Sequence, residues 1–153
     1  MNAKVTLLDT DIDSGRLARE LYHLLDQYPE LKSQTQISVT GSHEDDSFDC
    51  GNGRIVDLPT EENNYSTVLK AFHGTYIEEC VKRYSDYYRW RLLCVTGRKC
   101  YSIHSDSIHN LTNLRLHIPI VTNSECFMTF YETYPTEGIN NVEFRHLKKT
   151  VHT

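Results

Sequence analysis

From Tyr87 onward the chain reads YRWRLLCV, CYSIHSD, LRLHIPIV, ECFMTFYE and VEFRHL, short alternating or β-rich runs separated by TGRK, HNLTN, TN and YPTEGINN. Each separator carries turn-forming residues, and strands at this regular spacing point to an antiparallel sandwich or small barrel. Upstream the texture is helical. DIDSGRLARELYHLLDQY sets Leu17, Leu21, Leu24 and Leu25 at i, i+4, i+7 and i+8 behind Asp13 or Ser14 as N-cap, which predicts an amphipathic helix ending near Pro29. QISVT (residues 36–40) predicts a short strand, and the polar, acidic residues 41–64 predict a long surface loop over a site. YSTVLKAF and TYIEECVKRY, on either side of His73-Gly74, predict two short helices or one broken helix. The expected layout is one domain over residues 1–153, with a helical part and loop through residue 86 and a β core from residue 87.

Composition narrows the function classes. At 153 residues one domain can bury a continuous core without staples. Five cysteines, an odd number without a CxxC pair, follow an N-terminus lacking a basic-then-apolar signal design. This predicts reduced thiols in a cytoplasmic protein. No apolar run reaches the length of a membrane helix. A net charge of −5 argues against a general nucleic-acid binder.

Five of the eight histidines (His104, His109, His117, His146, His152) lie in the last third of the chain, which directs attention to metal chemistry there. His104-Ser105-Asp106 ends a predicted strand, where period-two alternation puts imidazole and carboxylate on one face. Two ligands do not hold a metal tightly, so a two-His-one-carboxylate triad needs a distant third. His152 is the favoured candidate and His146 the second. Arg115-Leu116-His117 repeats the spacing, and its guanidinium fork suits a carboxylate. His117 fits a hydrogen-bonded core histidine equally well. Arg89 and Arg91, flanking Trp90, are within the class that could reach a substrate, although a solvated face is the ordinary role of such residues.

YSIHSD, RLHIPIVTN and the following Cys126-Phe127 resemble the aspartyl/asparaginyl β-hydroxylase-like group of Fe(II)- and 2-oxoglutarate-dependent oxygenases. The likeness extends over roughly residues 36–153, faint in QISVT, moderate in FHGTYIEEC and YRWRLL, and strong from Tyr101 to Phe127. It implies a mainly β fold with N-terminal helices, a double-stranded β-helix or cupin-like jelly roll. The register of TVHT implies that its last strand is lacking. It also implies His104, Asp106 and His152 as iron ligands, and Arg115 and His117 as contacts to the 2-oxoglutarate carboxylate. The implied function is a dioxygenase that hydroxylates an amino-acid side chain, free or in a peptide. The alternative is a non-catalytic cupin-like module that binds a metal or ligand through an incomplete site.

Overall fold

The computed structural model describes residues 11–51, 62–95, 115–135 and 142–152. Helix α1 (Ser14–Gln27) forms where the leucine spacing predicts it, with Leu17 and Leu24 turned into the core. Pro29 opens a 3-10 turn, Pro29–Ser33, that brings Leu31 into the same core. This follows from the fixed φ of proline, which suits the first position of a helical turn but cannot continue α1.

The chain then runs extended through β1 (Gln36–Ser38) and β2 (Thr40–Gly41). Strand β4 (Arg91–Leu93) pairs antiparallel with β1, Ile37 opposite Leu92. Strand β3 (Thr67–Val68) pairs antiparallel with β2, Thr40 opposite Val68. Ile37 and Val39, together with Leu69, Phe72, Tyr76, Ile77, Cys80 and Val81, complete the core. Each large apolar side chain so buried stabilises by roughly 1.5–3 kcal/mol.

YSTVLKAF is not a helix. Its β-branched Thr67 and Val68 form β3, the Leu69 N–H donates to Val39 O at 2.9 Å, and a 3-10 turn, Lys70–Phe72, follows. The pleated surface accommodates β-branched side chains better than a helix does. TYIEECVKRY does form a helix, α2 (Tyr76–Arg83), capped by the Thr75 hydroxyl, which accepts from Glu78 N.

The jelly roll expected from the resemblance is overturned. It requires two sheets of about four strands each, whereas the described residues hold three separate two-stranded sheets, β1–β4, β2–β3 and β5–β6. Two local causes stand out. Strand β4 pairs back onto β1 instead of onto a downstream strand. The run LRLHIPIV forms no strand over residues 115–121, and the chain bends at Ile120 and Val121, immediately after Pro119, whose ring removes a ladder donor. Beyond it, Asn123 makes a turn, its side chain accepting from Glu125 N at 2.8 Å. Strands β5 (Phe127–Pro135) and β6 (Val142–His152) then form an antiparallel hairpin. Packing divides the chain into one unit of residues 15–118 and a second of residues 1–14 with 119–153.

Within the larger unit, Glu20 of α1 joins the two helices. Its carboxylate accepts from the N–H groups of Tyr76 and Ile77 at 2.9 and 3.1 Å, at the positive end of α2. Arg16 lies 3.7 Å from Glu20, 3.0 Å from Glu79 and 4.4 Å above the Tyr76 ring. At the same end of α2, Glu78 accepts from Gly74 N and pairs with Lys82, and these bonds hold its carboxyl below the usual range, the Lys82 bond foremost. Truncation of Glu20 leaves two helix-terminal donors without a carboxylate. Glu20→Ala should therefore lower stability by about 1–2 kcal/mol in urea unfolding, and an unchanged midpoint would contradict the coupling.

Candidate functional site

The pair Arg115 and His117 sits on a segment whose exposure alternates. Arg115 and His117 are exposed, whereas Leu116 and Ile118 are half-buried. Exposure alternates along residues 115–118 although they belong to no strand. A guanidinium and an imidazole two residues apart on an open face can together receive a carboxylate. His104 and Asp106 lie outside the described residues.

The third expected ligand, His152, stands in β6 at the register position opposite Phe127, and His146 stands opposite Glu132. Strand β5 is paired continuously from Phe127 to Pro135, so positions 127 and 132 fall on opposite faces of the hairpin. The register shifts in the β5–β6 pairing account for this, since His146 and His152 are an even number of residues apart and would share a face in a regular strand. Among the described residues no group of three His, Cys, Asp or Glu is placed to hold a metal ion.

Other residues of interest have structural roles. Arg91 donates to Gln36 Oε1 at 3.1 Å, across the β1–β4 pair. Arg89 donates through Nε to Gly51 O at 3.1 Å. His73 sits with Nε2 3.2 Å from Val68 O, and His23 is exposed on α1.

The acidic stretch after β2 proves to be organised up to Gly51. Asp46 accepts from the N–H groups of Ser42 and His43 at 2.8 and 3.0 Å, folding the chain back on itself. Gly41 permits this fold because a Cβ there would lie 2.7 Å from the Asp46 carboxylate and 3.0 Å from Leu69. Phe48 then packs edge-on against Tyr28 and Phe72, at 5.1 and 6.2 Å between ring centres. Two fully buried hydroxyls complete the arrangement: Ser38 Oγ accepts from Gly51 N at 2.9 Å, and Thr40 Oγ1 accepts from Trp90 N at 2.8 Å. Sequence reasoning missed these two residues. QISVT presents Ser38 and Thr40 as the polar, outward positions of an alternating strand, and only the tertiary fold covers them.

Burial pushes the thiols of Cys50 and Cys80 above their ordinary range, with the Ser38 bond partly opposing this at Cys50 and Arg83 at Cys80. Because the folded thiols keep their protons to higher pH than the unfolded chain would, they contribute stability below the ordinary thiol pKa that is lost as pH rises through the raised value.

Compared with known proteins, the chain matches no protein-family model, no curated protein and no solved structure. Among the described residues no helix is long and apolar enough to cross a membrane.

Thiol chemistry offers a direct check on this packing. Iodoacetamide near pH 8 should label exposed Cys94 ahead of Cys50 and buried Cys80, read by mass spectrometry. Equal rates at all three would contradict the burial described.

Proposed function

We propose that this protein is an Fe(II)- and 2-oxoglutarate-dependent dioxygenase that hydroxylates an amino-acid side chain, free or in a peptide. The observation that carries the reading is the exposure of both Arg115 and His117 on either side of half-buried Leu116, soon after His104-Ser105-Asp106 in the chain. The reading rests on this pair of motifs and not on a barrel.

The resemblance implies His104, Asp106 and His152 as the residues that would hold a ferrous ion, a donor set of two imidazole nitrogens and one carboxylate oxygen. When bound, Fe(II) with 2-oxoglutarate and dioxygen supplies C–H hydroxylation coupled to decarboxylation of the oxoacid to succinate. The chain's own contribution begins with Arg115. Its fixed guanidinium fork binds and orients the far carboxylate of 2-oxoglutarate, a role that the point charge of a lysine would fill less specifically. His117 donates a second hydrogen bond to that carboxylate. Leu116 and Ile118, the neighbours of these two exposed residues, are half-buried.

Succinate release from 2-oxoglutarate by iron-loaded protein tests the assignment. His104→Ala and Asp106→Ala should abolish it, and Arg115→Ala should raise the 2-oxoglutarate concentration needed by at least about tenfold, the loss of one charge-assisted pair. His109→Ala should leave both unchanged. Turnover retained in the first two variants, or none in the wild type with visible charge-transfer absorption also absent anaerobically, would overturn the reading.

A further inference from the structure

One residue of this protein combines an unusual backbone with an unusual set of partners. Arg89 has φ 57, the sole positive φ at a non-glycine position among the described residues. The left-handed region costs free energy for any side chain with a Cβ, and a β-unbranched cation without a local bonding pattern gains nothing from it in isolation. Such strain persists where the surroundings over-determine it.

The partners supply that determination. The Arg89 N–H donates to Tyr65 O at 2.7 Å, and its Nε donates to Gly51 O at 3.1 Å. Gly51 and Tyr65 meet each other as well, since a Cβ on Gly51 would stand 3.7 Å from Tyr65 Cδ1 and 3.8 Å from Arg89 Cγ. Gly51 is further fixed by its N–H bond to the buried Ser38 hydroxyl. Its N–H and its carbonyl are thus held by two different elements. Arg89 itself precedes Trp90, whose N–H and carbonyl engage Thr40 and Val39. The clamp is consequently mounted beside the buried Val39 and Thr40.

We propose that Arg89 is a two-handed clamp that fastens both ends of the chain running from Gly51 to Tyr65 at a single point, and that its left-handed backbone is the conformation this double grip imposes. The backbone hand takes Tyr65 and the side-chain hand takes Gly51. A residue chosen only for its φ would be glycine or asparagine; arginine is required for the second hand. The clamp is independent of the reaction catalysed.

Native-state hydrogen exchange of the full chain distinguishes the clamp from backbone strain alone. Arg89→Gly removes the guanidinium while making positive φ cost-free, and Arg89→Ala removes it while keeping the strain. In both, exchange at the Gly51 amide, whose N–H donates to Ser38 Oγ, should rise by about tenfold or more, because the Gly51 carbonyl is no longer held by a charged donor and the residue is freed to leave that bond. The amides of Cys80 and Val81 in α2 should keep their wild-type rates. Unchanged Gly51 exchange in Arg89→Gly would overturn the clamp, because the conformation would then be held without the side chain. Protection lost equally at Cys80 and Val81 would overturn it too, by showing a general stability role.

Discussion

The larger unit depends on one extended stretch, residues 36–41, whose two hydroxyl-bearing side chains are fully buried. Serine and threonine are costly to bury unless their oxygen atoms are satisfied, and in this stretch each accepts from a backbone N–H that would otherwise have no partner. Ser38 thereby fixes Gly51 at the end of the acidic stretch. Thr40 fixes Trp90 at the entry to β4. The same stretch offers its backbone to β4 on one part and β3 on the other, so both returning segments are registered against it. Helices α1 and α2 contribute buried residues of their own to the core and are tied to each other by Glu20. A polar pair inside an apolar core thus fixes two points of the returning chain, Gly51 and Trp90, a task that Ile37 and Val39, which bury apolar surface without direction, could not perform.

Local pattern was legible where local physics decides. The leucine spacing of α1, the Pro29 stop and the short strand at residues 36–40 follow from periodicity and the restricted φ of proline. The helix of TYIEECVKRY follows likewise, with Thr75 as its cap. Illegible elements were those settled by partners distant in sequence. YSTVLKAF carries apolar residues at helical spacing, yet Val39 and Thr40 recruit its first half as a strand. The β-rich texture beyond Tyr87 is genuine in β4, β5 and β6, but texture does not state which strand pairs with which. Strands β4, β5 and β6, divided between two two-stranded sheets, satisfy it as well as a jelly roll does.

Of the candidate site, spacing offers Arg115 and His117 as a pair two residues apart, and the structure shows both exposed between half-buried neighbours, while His104 and Asp106 lie outside the described residues. The distinction between His146 and His152 was beyond sequence, because interruptions in strand pairing reverse the face assignment without leaving a mark in composition. The role of Arg89 was equally hidden. Beside Trp90 it has the pattern of a surface cation, and only its backbone angle and its bond to Gly51 reveal the structural purpose.

The dependence of the larger unit on its buried hydroxyls is most directly measured with Thr40→Val, which preserves shape and removes the oxygen that receives the Trp90 N–H. Urea unfolding should show a loss of about 1–3 kcal/mol, the cost of one buried donor left unsatisfied. A variant as stable as the wild type would contradict the central place of residues 36–41 in the fold.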